Sequence, residues 1–193
     1  MAFLDDIKTE LYKKGASTQM RNASDWFVRK VRSAASGATN RDILMDPGRS
    51  AIDTVIGRMY FFAYDPKTKD KLPYYDTFPL IFIIDTYPDG FLGLNLHYLS
   101  VRDRAMLLNR LTDYRNNSKY DATTKLKLSY NTISAVSRLD LAKPCIKRYL
   151  FNHVRSRFIE INADEWAIAT FLPVENFVGA SKSKVHKQSR NMF

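Results

Sequence analysis

Residue types that commonly perform nucleophilic or metal chemistry are few in this chain and lie far apart. The histidines are His97, His153 and His186, and no two of them have the i, i+3 or i, i+4 spacing that brings two metal ligands onto one helical face. Cys145 is the single cysteine, which excludes an intrachain disulfide. Its place after Pro144, in the first turn of a predicted helix, would lower the pKa of the thiol. A small, buried and inert side chain is the favoured interpretation.

Carboxylates and glycines do not form a catalytic pattern either. Asp85 and Asp89 bracket a predicted turn, and Asp164 and Glu165 precede an apolar segment. Neither pair continues into a strand with a carboxylate and a lysine two residues apart, as a metal-dependent nuclease would need. The glycines are scattered and form no phosphate-binding loop. We therefore predict no catalytic residues, no metal and no cofactor, and a protein that is not an enzyme.

Positive charge is the feature that points to a partner. The chain has 30 Lys and Arg against 20 Asp and Glu, a formal net charge of +10. The excess lies in two segments that contain no acidic residue, Lys143–Arg157 and Gly179–Phe193. Charge concentrated in this way attracts polyanions. Nucleic acid and an acidic protein surface both remain candidate partners.

The expected nucleic-acid contacts are the basic residues of these two segments and one asparagine. The sequence predicts a helix from Pro144 to about Phe158. Arg148, Asn152 and Arg155 would share one face of it. Such residues hold phosphates rather than read bases. The predicted contacts with double-stranded DNA are Lys143, Lys147, Arg148, Asn152, Arg155, Arg157, Lys182, Lys184, Lys187 and Arg190.

The elements that must position these residues begin with two predicted helices in residues 1–40. Apolar residues recur at helical spacing from Phe3 to Leu11 and from Met20 to Ala34. We interpret residues 1–40 as a helical N-terminal arm, residues 41–178 as an α+β core domain and residues 179–193 as a flexible basic tail. No apolar run approaches the roughly 20 residues of a membrane span, and the first residues lack the features of a signal peptide. No membrane partner is therefore expected.

Strands dominate the predicted middle of the chain. Met59–Tyr64, Phe78–Ile84 and Phe91–Tyr98 are rich in aromatic and apolar residues, and a Pro88-Asp89-Gly90 turn joins the last two. They predict a small antiparallel sheet or an SH3-like barrel.

Further elements complete the expected α+β fold. A helix from Val101 to Tyr114 follows Ser100 as its N-cap. Leu126–Leu128 is expected to be a short strand, and Glu165–Leu172 a final strand that Pro173 ends.

One more pattern consists of aromatic and glycine-containing stretches spread over residues 57–185. It comprises Met59–Lys67, Leu72–Leu80, Asp89–Tyr98, Ser137-Arg138, Lys143-Pro144, Lys147–Leu150 and Trp166–Pro173. This pattern resembles virion-associated proteins of T4-like tailed bacteriophages, and in particular their DNA end protector family.

The resemblance implies a protein that binds the ends of packaged double-stranded DNA at the head–tail junction and blocks attack by host exonucleases. Its other implied partners are virion proteins of the neck, tail or baseplate. Its implied location is the virion, and the host cytoplasm during assembly. The alternative function is a structural neck or baseplate component that does not bind DNA ends specifically.

Overall fold

A computed structural model describes residues 18–36, 56–116, 118–138 and 140–190. Within these ranges the fold is α+β, which confirms the predicted class. The α-helices are α1 (Thr18–Ser36), α2 (Val101–Asn116), α3 (Ala122–Arg138), α4 (Trp166–Thr170) and α5 (Lys182–Arg190). The strands are β1 (Met59–Phe61), β2 (Tyr75–Asp76), β3 (Leu80–Tyr87), β4 (Gly90–Asn95), β5 (Ile146–Leu150), β6 (Ile159–Ile161) and β7 (Phe177–Val178). The first helix predicted from the sequence, near Phe3–Leu11, lies outside the described residues.

The strands form two antiparallel sheets and no closed barrel in the part of the chain that the structure describes. Five strands pair in the order β5-β4-β3-β1-β6, and β2 pairs with β7 in a separate two-stranded sheet. The predicted small antiparallel sheet is therefore present, and the SH3-like closure is not.

The β3–β4 hairpin has the tight turn that the sequence predicts. Tyr87 pairs with Gly90 across the two turn residues Pro88 and Asp89. An added Cβ at Gly90 would lie 2.0 Å from the backbone oxygen of Tyr149 on β5. Only glycine therefore allows β5 to approach β4 this closely.

Helices cover one face of the five-stranded sheet. On α1, Phe27 is fully buried and its ring meets those of Phe61 and Phe78 edge-on, at centroid distances of 5.8 and 5.9 Å. Trp166 of α4 contacts Phe82 in the same manner at 5.3 Å. The second predicted N-terminal helix is thus present as α1, and it packs into the main core.

The other face of the sheet carries a layer of aromatic rings. The ring of Phe62 lies between 4.9 and 5.6 Å, centroid to centroid, from those of Phe91, Tyr149 and Phe158. The contacts with Phe91 and Tyr149 are edge-to-face, and such contacts each contribute about 0.5–1.5 kcal/mol beyond area burial. The chain between β5 and β6 closes over this layer, because the backbone N–H of Arg155 donates to the carbonyl of Ala63 at 2.8 Å.

The helix predicted from Pro144 to Phe158 is wrong. The chain there forms a 3-10 segment at Asp140–Cys145, strand β5, a 3-10 turn at Phe151–His153 and then β6. The predicted apolar stripe repeated every four residues, and four is a multiple of the strand period of two as well as close to one helical turn. Pairing with β4 along Gly90–Leu94 decides in favour of a strand.

Two strands predicted from the sequence are helices. Leu126–Leu128 lies inside α3, which begins after Asp121, whose carboxylate accepts from the backbone N–H of Thr124 at 2.8 Å. The predicted strand Glu165–Leu172 contains α4 instead. The Glu165 carboxylate accepts from the backbone N–H of Asn162 at 2.9 Å, a contact that helps to start this helical segment.

The C-terminal segment differs from the predicted flexible tail. Residues 182–190 of that tail form α5, in which Val185 is fully buried. A single buried valine leaves no apolar periodicity in the sequence, so pattern alone does not reveal this helix. By contrast α2 begins where predicted, since the hydroxyl of Ser100 accepts from the backbone N–H of Asp103 at 3.2 Å. Among the described helices, none combines the length and apolarity that crossing a bilayer requires.

Candidate nucleic-acid interface

Helix α5 is a basic helix that is fixed to the body of the protein. Ser181 caps it, with its hydroxyl accepting from the backbone N–H of Lys184 at 3.3 Å. Val185 and Ser189 are buried and His186 is half-buried, so these three residues form the inward face. Lys184 and Lys187 are exposed, and their i, i+3 spacing places them together on the outward side.

An ionic cluster anchors the first turn of α5. The Glu175 side chain is 2% exposed and accepts from Arg104 at 2.8 Å and from Lys182 at 3.2 Å. Burial alone would raise the pKa of Glu175, but His97, Arg104 and Lys182 lie nearby and bring that pKa down to about 2. The carboxylate is therefore ionised at neutral pH and holds the helix start.

Arg104 is a residue whose role the sequence analysis missed. Its side chain is fully buried, and besides Glu175 it donates to the backbone oxygen of Leu99 at 3.2 Å. Arg104 shares a helical face with the buried residues Leu108 and Leu111, at i, i+4 and i+7. The sequence does contain a signal for this role: a charged residue stands among the inward-facing apolar positions of the predicted helix, where it needs a buried partner.

A buried polar network supports the chain beneath α5. The Asp76 carboxylate accepts from Nδ1 of His97 at 2.7 Å and from the side-chain amide of Asn95 at 3.0 Å. The same amide also donates to the hydroxyl of Tyr149 at 3.1 Å. These bonds fix the 3-10 turn 96–98, and the carbonyl of His97 in that turn accepts from Nε2 of His186 on α5 at 3.0 Å.

Two of the predicted contacts lie beside α5. Lys143 is exposed in the 3-10 segment Asp140–Cys145, which packs against that helix. Nζ of Lys147 lies 4.5 Å from the ring centroid of Tyr98, in the 3-10 turn that α5 also contacts. Burial lowers the pKa of Lys147. Lys143 thus lies in a segment that packs against α5, and Lys147 lies next to a turn that α5 contacts. Helix α5 itself carries Lys182, Lys184 and Lys187 and ends at Arg190.

The other predicted contacts are not on one face, since the helix that would align them does not exist. Arg148 lies over the ring of Tyr87, with its guanidinium carbon 4.0 Å from the centroid, and pairs with Asp89. Arg155 pairs with Asp65 at 3.4 Å. Asn152 and Arg157 lie in the chain between β5 and β6.

The candidate catalytic residues are held in structural roles. Cys145 is fully buried, as the favoured interpretation of the sequence expected, and burial raises the pKa of its thiol to about 12, so the thiol is protonated at neutral pH. Nδ1 of His153 donates to the backbone oxygen of Asp65 at 2.9 Å, away from His97 and His186. In the part of the chain that the structure describes, no three His, Cys, Asp or Glu side chains are placed to hold a metal ion.

Comparison with known proteins agrees with the family resemblance that residues 57–185 carry. The sequence profile of the family described as phage T4 terminal DNA protecting protein matches residues 1–191. No curated protein and no solved structure matches the chain. Because the family match spans almost the whole sequence, the chain belongs to the phage T4 terminal DNA protecting protein family.

Proposed function

We propose that the protein binds the ends of double-stranded DNA at the head–tail region of the virion and shields them from exonucleases. The observation that carries this proposal, beside the family membership, is a docked helix with two exposed lysines. No carboxylate of the described residues lies within ion-pair distance of Lys184 or Lys187, and the helix itself contains no acidic residue.

Shielding an end requires occlusion and firm phosphate contacts, and no covalent step. Helix α5 is fixed to the body of the protein through Val185, His186 and Lys182. Phosphates held on its outward side would therefore lie close to the folded body. Because the backbone of α5 is already held in place, only the side chains of Lys184 and Lys187 lose conformational entropy when they meet a phosphate. We accordingly propose a non-enzymatic mechanism in which contacts go to the DNA backbone.

The remaining parts of the proposal concern the partners and the location. Its other partners would be virion proteins of the neck, tail or baseplate, and α1, which packs into the core, would not serve as the docking arm. Arg148 and Arg155 would contribute less to DNA binding than α5, since each already has a carboxylate partner. The protein would act in the virion and pass through the host cytoplasm during assembly.

The test compares a linear duplex with the same DNA closed into a circle, across a salt series and with an exonuclease added. We expect tighter binding to the linear form and protection of its ends. The variant Lys184→Ala/Lys187→Ala should weaken binding to both forms and reduce the salt slope by about 2. A matched control, Arg110→Ala/Lys127→Ala, removes the same charge from exposed positions on α2 and α3 and should leave binding nearly unchanged.

Two results would contradict the proposal. Equal affinity for linear and circular DNA would show that the protein does not recognise ends. Incorporation into phage particles without any binding to isolated DNA would favour the structural neck or baseplate role.

A further inference from the structure

The two-stranded sheet carries an apolar face that points away from the core. Tyr75 on β2 and Val178 on β7 are paired residues, and neighbouring residues of a strand point to opposite faces. Their strand neighbours Asp76 and Phe177 face inward, where Asp76 is buried and Phe177 contacts the ring of Tyr98 at 5.1 Å. The Tyr75 face, defined as Tyr75 and Val178, is therefore the outer one, and Val178 is 43% exposed.

This face is joined tightly to the start of α5. The backbone at Gly179 has φ of +86°, and an added Cβ would lie 2.6 Å from the backbone oxygen of Pro73. The chain therefore turns in close contact with the segment that leads into Tyr75, and Ser181 caps α5 directly afterwards. The lysines of α5 follow the apolar face with only a short turn between them.

Basic residues also precede the face. Lys69 and Lys71 lie exposed in the loop before β2, and Lys69 pairs with Asp65 at 2.9 Å. Lys71 is therefore the cation that this loop would offer to a phosphate. An apolar surface with lysines on either side along the chain complements a ligand that presents a flat apolar surface between charged groups. The terminal base pair of a duplex is such a ligand, since one of its faces is unstacked and phosphates flank it.

We infer that the Tyr75 face stacks on the terminal base pair of double-stranded DNA, an inference that rests on the proposed function. An internal base pair is covered on both sides by its neighbours and offers no such surface. Aromatic stacking is tolerant of sequence, because every base has a π-face. The face would therefore distinguish an end from the middle of a duplex without reading bases, while the α5 lysines supply affinity for both.

The experiment uses a short blunt-ended duplex and the same sequence closed at both ends by hairpin loops. Tyr75→Ala should weaken binding to the blunt duplex by about 5- to 150-fold, leave binding to the closed form unchanged, and leave the salt slope unaltered. Tyr75→Phe, which keeps the ring, should bind like the wild type. Tyr130→Ala, which removes a 37% exposed tyrosine from α3, is the matched control. Thermal unfolding of each variant checks that the fold is intact.

The outcomes separate this inference from the proposed function. If the wild type prefers the blunt duplex and Tyr75→Ala keeps that preference, stacking by the Tyr75 face is overturned and end binding stands. If the wild type shows no preference between the two forms, the proposed function itself fails. Loss of particle incorporation in Tyr75→Ala with unchanged DNA binding would assign the face to a protein partner and would also overturn the inference.

Discussion

At the scale of single residues, Glu175 connects the core to the basic surface. Its carboxylate lies between Arg104, which is fully buried, and Lys182, which is the first residue of α5. Removing one member of a buried ion pair leaves the other charge without compensation, which usually costs about 3–5 kcal/mol. The position of the basic helix therefore depends on a buried carboxylate that lies outside the helix itself.

We predict that Glu175→Gln lowers the free energy of unfolding at neutral pH by about 3 kcal/mol. The pKa of Glu175 is about 2 in the folded protein, against an ordinary value of 4.5 for this side chain. Because the folded pKa is the lower one, the wild type has this stability above pH 4.5 and loses it as the pH falls from 4.5 to 2. Denaturant unfolding at several pH values should show that acid-induced loss in the wild type and a flatter profile in Glu175→Gln.

An exposed ion pair offers the control for this prediction. Glu160 pairs with Arg58 at 2.9 Å, with side chains that are 31% and 47% exposed. Surface pairs contribute about 0–1 kcal/mol, so Glu160→Gln should change stability little. Equal losses in the two variants would mean that burial of Glu175 has no special importance.

At the scale of elements, the parts of the fold set by local interactions were predictable. The β3–β4 hairpin follows from Pro88-Asp89-Gly90 and apolar flanks, and α2 follows from its Ser100 cap. Both signals act over a few residues, so the sequence contains them in full.

The elements set by distant partners were not predictable from the sequence. Segment 146–150 is a strand because β4 offers it an edge, and β4 lies more than 50 residues away along the chain. The same holds for α5. Its buried apolar residue, Val185, can anchor the helix only when turn 96–98 is in place for α5 to pack against. The candidate interface was thus predicted in its residue types and partly misplaced in its geometry, since Arg148 and Arg155 depend on a helix that does not form.

We predict that Val185→Asp detaches α5 while the five-stranded sheet remains folded. Val185 is fully buried, and an aspartate there would be an unpaired charge whose burial costs more than the docking of one short helix returns. Limited proteolysis should then cut after Lys184 or Lys187, and DNA affinity should fall. Gln188→Asp puts the same charge on an exposed position of α5 and serves as the control for proteolysis. Resistance of Val185→Asp to cleavage would show that other contacts hold the helix.

At the scale of the whole molecule, the sheet is covered on both faces, and α5 carries basic residues on its exposed side. Helices pack on one face and the aromatic layer closes the other. In the proposed function, DNA would therefore meet α5 and the two-stranded sheet rather than the surface of the main sheet.

The salt dependence of binding measures how many of these cations take part. Six basic residues belong to the α5 region, namely Lys143, Lys147, Lys182, Lys184, Lys187 and Arg190. Each neutralised phosphate contributes about −0.9 to the slope of log affinity against log salt concentration, so we expect a slope no steeper than about −5. A titration from low to high salt gives this value directly. A clearly steeper slope would show that cations outside this region, such as Lys71, Arg148 or Arg155, also bind phosphate.

Because Cys145 is buried, its thiol can serve as an intrinsic probe of local opening in the segment Asp140–Cys145. It is the single cysteine of the chain, and its side chain is fully buried in the segment against which α5 packs. The thiolate is the form that attacks an alkylating reagent, so the reaction occurs only in molecules where this segment has opened to water and the thiol can ionise. The alkylation rate therefore reports local opening beneath the basic helix. Comparing that rate with and without a duplex would measure how strongly bound DNA holds the region closed, with no engineered label.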